Sequence, residues 1–342
     1  MVSLRPKILM VADILDWAYE HIARFVMRQL GEKYDFYIDY LWLNERERPH
    51  SVRDRIYRAR VQPRYLRRRR ILPAPEAYDL ICFLGWYMPW TGSFDAAGKG
   101  IVQGIYTGGF PPQSHTLRVE SGIGVQEFVN KYLGTATSVL AGSKEIYDIY
   151  SPYVKDLYYA TGAYDTELFT PRARVTGDGA SLVVGWTGDP RRPFKGFYDY
   201  VVPAVERAAS LRPRISLRTR FRGPLETLPE FYRDVDVMLI ASVADAGPGC
   251  FLEAGLCGVP SISTRIGAPL EVIRDGENGM LVERSVDSMA RALVYLYDHR
   301  HVVSNMGQNI RRDLAAQWGF EARSKLWDQV FEESLKRVAR MA

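Results

Sequence analysis

The sequence predicts an α/β protein of two domains, each built on a wound and mostly parallel sheet. Short apolar runs of strand length alternate with segments whose apolar residues repeat at helical spacing. This alternation stops at a polar, turn-rich segment at 170–181 and then begins again. A chain of 342 residues is also long for one core. We expect two sheets facing each other across a cleft, with ligands at the carboxyl ends of the strands.

The predicted elements follow this alternation along the chain. Strand candidates in the first half are KILMVAD (7–13), YDFYIDYLWL (34–43), YDLICFLGW (78–86), KGIVQGIYT (99–107) and SVLAGS (138–143). Those in the second half are SLVVGWTG (181–188), ISLRTRFRG (215–223), VDVMLIAS (235–242) and VPSISTR (259–265). Helices lie between them, and Asp16 is a plausible N-cap of the first helix. We place the domains at 1–168 and 169–317, with the amphipathic C-terminal helix (about 318–342) joining the first.

Composition indicates a soluble protein of a reducing compartment. Hydrophobic residues make up 47% of the chain and charged residues 25%, which is ordinary for a globular protein. No apolar run approaches the roughly 20 residues that span a bilayer. The short N-terminal apolar stretch is interrupted by Asp13 and Asp16, unlike a signal peptide. Cys82, Cys250 and Cys257 lack metal-ligand spacing and are predicted to be buried thiols. We therefore expect a cytoplasmic location.

Arginine is concentrated in one segment of the chain. The formal net charge is only +5, but residues 53–70 contain nine arginines and one acid. Such a segment attracts phosphates of nucleic acid, of anionic lipid or of a phosphorylated acceptor. A solvated charged face is the alternative interpretation. Pro63 is predicted to divide the segment into two short basic helices.

The stretch DAGPGCFLEAGLCGVP, residues 245–260, predicts an anion site at the start of a helix. It follows the predicted strand VDVMLIAS, and Pro248 suits the first helical position, where a missing N–H costs nothing. The amides of Gly249 and Cys250 would then face outward from the positive end of the helix dipole. Glu253 falls about one turn further, within reach of a ribose diol. A glutamate in a first turn is also favourable through the dipole alone, so spacing by itself leaves both interpretations open.

This stretch resembles the signature of the retaining glycosyltransferases of family 4, which have the GT-B fold. That signature is Glu, seven residues, then Glu-Ala, and here Asp245 and Glu253-Ala254 match it. The resemblance continues through STRIGAPLEVIRDGENGMLV, and upstream through TGAYDTELF and FRGPLETLPEFYRDVDVMLIAS. It covers roughly residues 135–320 and several separate motifs.

The resemblance implies a role for each matching residue. Glu253 would bind the nucleotide ribose and Asp245 the hydroxyls of the donor sugar. The amides of Gly249 and Cys250, which follow Pro248 at the donor site, would hold the diphosphate, and the segment from Gly223 to Leu225 would meet the base. In the family, a Gly-Arg pair followed by Lys-Gly grips the diphosphate; here Gly188 and Lys195-Gly196 match, but Asp189 replaces the arginine. Arg191 or Arg192 could supply that charge, and we expect Asp189 to point away or to pair with an arginine.

The first domain departs further from the family and is expected to bind the acceptor. It lacks the family's glycine-rich turn after the first strand, and IYTGGFPPQSHT stands where a histidine is common near the donor sugar. The candidate acceptor residues are Asp13, Trp17, Tyr106, Thr107, Gly108 and His115.

The implied function is retaining transfer of a hexose from a nucleoside diphosphate sugar to an acceptor hydroxyl, in polysaccharide or glycolipid assembly. No metal and no cofactor besides the donor are expected, since cations and amides would stabilise the departing diphosphate. Expected partners are a glycan or lipid-linked acceptor and an anionic membrane face that meets Arg53 to Arg70, with no nucleic acid. Three alternatives remain open: a GT-B epimerase or phosphorylase, a basic protein that binds nucleic acid or anionic surfaces, and a scaffold that binds donor without turnover.

Overall fold

The computed structural model describes residues 5–45, 52–69, 72, 77–96, 99–112, 114, 117–171, 181–221, 223 and 225–341. Several predicted features lie wholly or partly outside these ranges, among them His115, Arg70, most of the segment 170–181, and parts of the segments 215–223 and 223–225. No helix in the described ranges is long and apolar enough to cross a membrane.

The chain divides into two compact units, each with its own sheet. The first is Met1–Gly162 with Arg323–Ala342, and the second is Ala163–Ala322. The amide of Tyr164 donates to the Trp318 carbonyl at 3.1 Å. This bond attaches the chain just beyond Gly162 to the second unit, a few residues before the boundary placed at 168.

The first unit contains a six-stranded parallel sheet. Its strands are β1 (Lys7–Ala12), β2 (Asp35–Tyr40), β3 (Leu80–Phe83), β4 (Gly100–Ile105), β5 (Ser138–Ala141) and β6 (Leu157–Tyr159), in the order β2-β1-β3-β4-β5-β6. Its helices are α1 (Ala18–Leu30), α2 (Leu41–Asn44), α3 (Val52–Arg69), α4 (Met88–Thr91), α5 (Val125–Phe128) and α6 (Lys144–Tyr150). The chain order reverses between β1 and β3, so this sheet has a topological switch point there. The residues that follow β1, β3 and β4 all emerge at the same edge.

The loop after β1 is fixed by a buried glutamate. Helix α1 begins at Ala18 with Trp17 at the N-cap, so the predicted cap at Asp16 is wrong. Asp16 instead has φ of 61°, a left-handed conformation that is uncommon outside glycine. Its amide donates to Glu20 at 2.5 Å, and the other oxygen of Glu20 accepts from the Tyr40 hydroxyl at 2.9 Å. The side chain of Glu20, in the first turn of α1, therefore accepts a backbone hydrogen bond just before the helix, where the sequence predicts a cap by Asp16.

The arginine-rich segment is one continuous helix, α3, with Pro63 inside it. The prediction of two short helices is therefore wrong. Tyr65 is buried and stacks on Trp42 with ring centroids 4.5 Å apart, and the Arg58 guanidinium lies 4.9 Å from the Trp42 ring. This packing is a physical reason for the continuous helix, because it offsets the roughly 3 kcal/mol that an internal proline costs.

Several of the arginines of α3 point toward the body of the first unit. Each meets a carboxylate from a neighbouring element, so part of the charge is structural. The pairs are Arg58–Glu45 at 2.5 Å, Arg64–Asp16 at 3.1 Å, Arg68–Glu20 at 3.7 Å and Arg69–Asp39 at 3.5 Å.

The second unit contains a five-stranded parallel sheet. Its strands are β7 (Leu182–Thr187), β8 (Ile215–Arg220), β9 (Val237–Ile240), β10 (Ser261–Ser263) and β11 (Met280–Leu281), in the order β11-β10-β9-β7-β8. Its helices are α7 (Val202–Leu211), α8 (Leu228–Arg233), α9 (Gly249–Leu256), α10 (Gly267–Val272), α11 (Val286–Asp298) and α12 (Arg300–Trp318), and α13 (Phe320–Met341) follows. From Arg323 onward α13 belongs to the first unit, where the Trp327 indole donates to the Thr161 carbonyl at 3.0 Å.

Both faces of the second sheet are covered. Along β9, Val237 and Leu239 pack into one core with residues of α7 and α11, whereas Met238 and Ile240 pack into another with residues of α9 and α10. Alternation of this kind follows from the two-residue period of a strand. A parallel sheet buried on both faces explains the continuous apolar runs of its strands.

Candidate functional site

The second sheet brings two loops together at its switch point. Strand β7 pairs with β8 on one side and with β9 on the other, so the loops after β7 and β9 leave the sheet side by side. In open α/β sheets, ligands bind where the strand order reverses. The loop after β7 contains Lys195, and the loop after β9 contains Asp245.

Lys195 forms an ion pair with Asp245 at this point. The Val243 amide donates to the Phe194 carbonyl at 2.9 Å, so backbone as well as side chains joins the two loops. Burial is the largest single influence on the pKa of Lys195 and lowers it, but the charge and hydrogen bond of Asp245, together with Cys250, outweigh burial and raise the net pKa above its ordinary value. The lysine is therefore a cation at neutral pH.

Two glycines allow neighbouring backbone segments to lie close to β9 and the loop that follows it. Gly196 has φ of 66°, and a Cβ there would lie 2.8 Å from the Ala241 carbonyl oxygen. Gly267, at the start of α10, has φ of 27°, and a Cβ there would lie 2.1 Å from the Ala246 carbonyl oxygen. Any larger residue would separate these segments from the loop after β9.

Helix α9 begins directly after that loop. Its first residue is Gly249, one residue later than predicted, because Pro248 is the N-cap and not the first helical residue. Among the described residues, no side chain forms a hydrogen bond at this cap. Within the described part of the chain, the amides of Gly249 and Cys250 have no hydrogen-bond acceptor. Cys250 is half-buried, so the prediction of three buried thiols holds for Cys82 and Cys257. The start of α9 presents amides at the same sheet edge as Lys195.

Glu253 is buried on α9, with 7% of its surface exposed. The Tyr232 hydroxyl, on α8, donates to Glu253 Oε2 at 2.5 Å. Burial raises the pKa of Glu253 to about 7, although the Tyr232 hydrogen bond and the Arg220 charge each lower it. This carboxyl group therefore changes its charge near neutral pH.

Asp189, which stands where the resemblance leads us to expect arginine, pairs with Arg191. The Arg191 guanidinium donates to both carboxylate oxygens, at 3.0 and 2.9 Å. These bonds lower the pKa of Asp189 to about 2, so it stays ionised. The Arg191 side chain is 73% exposed, whereas Arg192 is half-buried and its charge acts on the pKa of Lys195. The expected pairing of Asp189 with an arginine is present, and Arg192 is the arginine nearer the site.

The remaining predicted residues of the second unit lie at the same edge of the sheet. Gly188 follows β7, and its amide donates to the Arg220 carbonyl at 3.2 Å. Gly223 and Leu225 follow β8, where Leu225 begins a 3-10 turn. Two further residues of this site, Arg220, whose charge reaches Glu253, and Tyr232, were not predicted from the sequence. The available signal for Tyr232 was its position within FRGPLETLPEFYRDVDVMLIAS.

The first unit gathers most of its predicted residues at one edge. Asp13 and Trp17 follow β1, and Trp17 is 37% exposed. Tyr106, Thr107 and Gly108 follow β4. The Tyr106 hydroxyl donates to the Ala160 carbonyl at 2.8 Å, and Thr107 Oγ1 is buried without a partner among the described residues. His115 lies outside the described ranges.

Part of the second unit is similar to a known protein family. Residues 182–299, which include both loops and α9, match the family model described as glycosyl transferases group 1. N-acetyl-alpha-D-glucosaminyl L-malate synthase of Bacillus anthracis is 29% identical over 120 residues, 35% of this chain and 32% of that protein. Lipopolysaccharide core biosynthesis glycosyltransferase LpsE of Rhizobium meliloti is 29% identical over 109 residues, 32% of each chain. The match thus spans about a third of the length of these relatives.

Solved structures extend the likeness to both units. Sucrose-phosphate synthase of Thermosynechococcus elongatus superposes with a TM-score of 0.68 at 15% identity, over 96% of this chain and 99% of that one. Anabaena HepE, solved in complex with UDP and glucose, superposes with a TM-score of 0.66 at 13% identity, over 96% and 100%. The fold is that of the GT-B glycosyltransferases, and the second unit carries a glycosyl transferases group 1 domain.

Proposed function

We propose that the chain transfers a sugar from a nucleoside diphosphate sugar to an acceptor hydroxyl, and that the second unit binds the donor. One observation carries the proposal: the cationic Lys195 lies at the switch point, at the sheet edge where the first amides of α9 have no acceptor among the residues that the structure describes. The family match of residues 182–299 and the names of the relatives support it.

The donor diphosphate would bind between Lys195 and the start of α9. The amides of Gly249 and Cys250 would donate to phosphate oxygens, aided by the helix dipole. Lys195 would share its charge between Asp245 and the phosphate, with Arg192 as the second cation. Arg191 would remain with Asp189 at the surface.

The sugars on either side of the diphosphate would meet the two carboxylates. Glu253 would accept hydrogen bonds from the ribose, and Asp245 from hydroxyls of the transferred sugar. The segment from Gly223 to Leu225 would contact the base. Both carboxylates bind in this scheme, and neither acts as the nucleophile of a glycosidase-like reaction.

We propose that transfer retains the anomeric configuration. When the bond from the anomeric carbon to the phosphate oxygen breaks, negative charge develops on the departing diphosphate. Lys195, Arg192 and the α9 amides would stabilise that charge without a metal ion. The phosphate oxygen that leaves would take the proton from the acceptor hydroxyl, whose oxygen bonds to the same face of the sugar. With an α-linked donor, NMR of the product should show an α linkage, and a β linkage would exclude retention.

The acceptor would bind to the first unit, at the edge formed by the residues after β1 and β4. Exposed Trp17 offers an aromatic face. The buried Thr107 hydroxyl has no hydrogen-bond partner among the described residues and could bond to a ligand. These features suit a sugar ring, which has apolar faces and hydroxyl edges. We propose a glycan or a lipid-linked sugar, in polysaccharide or glycolipid assembly.

We also propose that the outer face of α3 contacts an anionic membrane surface. Val52, Ile56 and Leu66 are 71%, 50% and 43% exposed, and with Ala59 and Pro63 they recur at spacings of three and four residues. This apolar stripe is flanked by exposed arginines, Arg55, Arg60 and Arg67. Such a helix lies in a bilayer interface, with apolar residues among acyl chains and arginines at phosphates. The chain would then act at the cytoplasmic face of a membrane.

A thermal-shift panel tests donor binding directly. A ligand that binds the native state raises the apparent stability in proportion to ln(1 + [L]/Kd). The panel comprises UDP-, GDP-, ADP- and TDP-sugars, and we expect one nucleotide class to stand out. That stabilisation should disappear in Lys195→Ala and Glu253→Ala. Absence of stabilisation by every donor, or stabilisation that survives both substitutions, would remove the proposal.

A further inference from the structure

The two oxygens of Glu253 face different surroundings. Oε2 accepts the hydroxyl hydrogen of Tyr232, a fully buried residue of α8, at 2.5 Å. Oε1 lies near Gly249, where a methyl group would be 3.3 Å from it. One oxygen is therefore turned to the protein interior, and the other to the start of α9.

We propose that Tyr232 is a positioning residue for Glu253: by holding Oε2 it fixes the carboxylate plane and presents Oε1 to a ribose hydroxyl beside the α9 amides. The inference rests on the proposed function, since it specifies how that site orients its donor. It adds a residue from a different helix to the machinery of α9. Tyr232 does not contact the donor in this scheme and acts through Glu253.

The physical reason is the freedom of a glutamate side chain. Its terminal torsion has a broad, nearly two-fold energy profile, so the carboxylate plane is not set by rotamer preference. A phenol that donates to one oxygen selects one orientation, and a hydrogen bond to a charged group is stronger than a neutral one. The same bond favours the ionised form, which accepts hydrogen bonds at both oxygens.

The ionisable groups around Glu253 come from four parts of the second unit. They are Tyr232 on α8, Tyr164 in the segment after β6, Arg220 at the end of β8, and Cys250 on α9 itself. No hydrogen bond joins Tyr164 to Glu253 in the described part of the chain, although a methyl group on Gly249 would lie 3.4 Å from the Tyr164 hydroxyl. Tyr164 therefore provides a matched control for Tyr232.

The decisive experiment follows the titration of the Glu253 side-chain carboxyl by ¹³C NMR in the intact chain, assigned by comparison with Glu253→Gln. Tyr232→Phe should raise the midpoint by about one pH unit, since it removes a hydrogen bond to the charged form. Tyr164→Phe should leave the midpoint in place. An unchanged midpoint in Tyr232→Phe, or equal shifts in both variants, overturns the proposal.

A second variant covers the case in which Tyr232→Phe does not fold. Site-specific 3-fluorotyrosine at position 232 keeps the ring and donates more strongly, so the midpoint of the Glu253 titration should move downward; an upward shift or none contradicts the inference.

UDP, GDP, ADP and TDP are then titrated against the native chain and Tyr232→Phe. A weaker Kd whose pH dependence has moved upward supports positioning, whereas a uniform loss at every pH indicates packing alone. Failure of the native chain to bind any of these nucleotides refutes the proposed function, a result distinct from the NMR outcome.

Discussion

Lys195 and Asp245 form an ion pair across 50 residues of sequence, at the point where β7 and β9 leave the second sheet. The side chains are 22% and 16% exposed, so each charge is largely removed from water and depends on the other. Breaking a buried pair by removing one partner is costly, because the remaining charge stays unpaired. In the proposed function, a donor diphosphate would meet a lysine that Asp245 already holds in place.

Replacement of Lys195 by alanine should lower kcat by about a hundredfold to a thousandfold, the range for removal of one group that stabilises charge developing in a transition state. The removal of the cation also leaves Asp245 to repel the donor, so the double variant Lys195→Ala/Asp245→Asn should bind donor better than Lys195→Ala. Steady-state kinetics and donor Kd measure both effects. Lys144→Ala, an exposed lysine of the first unit, serves as the control. Near-native kcat in Lys195→Ala contradicts the assignment.

Arg191 and Arg192 should differ in their effect on transfer. Arg191 is exposed and bonded to Asp189, so Arg191→Ala should change kcat/KM less than about threefold, in keeping with the small energy of surface ion pairs. Arg192→Ala should lower kcat/KM at least about tenfold, through loss of the second cation at the diphosphate. Kinetics of the two single variants decide the question. The reverse order would place the catalytic charge on Arg191.

The fold was predictable from the sequence because the strands are buried runs between helical segments. Apolar composition identified five of the six strands of the first sheet and four of the five strands of the second. Strands β6 and β11 were missed, because segments of three and two residues carry no periodicity. The helix at Val52–Arg69 was misjudged because Pro63 dominated the local signal, whereas the stacking of Tyr65 on Trp42 is a tertiary contact.

The individual residues of the candidate site were predictable from the sequence, but the contacts between their side chains were not. Sequence pattern and family resemblance marked Lys195, Asp245 and Glu253 separately. The ion pair between the first two depends on strand order, which places β9 next to β7. The bond from Tyr232 to Glu253 depends on the packing of α8 against α9, which local spacing does not encode. Both contacts therefore follow from strand order and helix packing, which the sequence motifs do not specify.

Glu253→Gln should stabilise the folded chain at high pH. The native pKa of about 7 lies above the ordinary value of 4.5, so the folded state binds the extra proton between these limits. Stability from this group is full below about pH 4.5 and is lost as pH rises through about 7. Glutamine stays neutral and avoids this loss, so its gain in stability approaches about 3 to 4 kcal/mol at most, at about 1.4 kcal/mol per pKa unit. Urea unfolding at about pH 5 and about pH 8 measures it. A variant that is less stable than native at both pH values refutes the prediction.

Transfer should persist after removal of divalent cations. Lys195, Arg192 and the α9 amides are proposed to stabilise the departing diphosphate, so EDTA treatment should leave kcat within about twofold of its untreated value. Removal of a required metal ion would lower kcat far more, because such an ion supplies several kcal/mol of transition-state stabilisation. The assay compares EDTA-treated protein with the same sample after Mg²⁺ or Mn²⁺ is restored. Lys195→Ala measured in parallel shows whether metal can replace the lysine. A loss of activity that Mg²⁺ or Mn²⁺ restores would assign the charge stabilisation to a metal.

The outward arginines of α3 should control vesicle binding, and the inward ones should control stability. Replacement of Arg55, Arg60 and Arg67 by glutamine removes about 1 kcal/mol each at an anionic surface, so partitioning onto vesicles rich in anionic lipid should fall about a hundredfold. Glutamine at Arg214, Arg291 and Arg312, exposed arginines of the second unit, removes the same charge and should leave partitioning nearly native.

Ile56→Ser with Leu66→Ser tests the apolar stripe separately and should weaken binding to neutral and anionic vesicles alike, because buried apolar area contributes in both. Arg58→Gln, which loses its partners Glu45 and Trp42, should lower the melting temperature instead. Co-sedimentation that does not depend on anionic lipid, or that falls equally in both triple variants, would show that α3 is a solvated face and not a membrane contact.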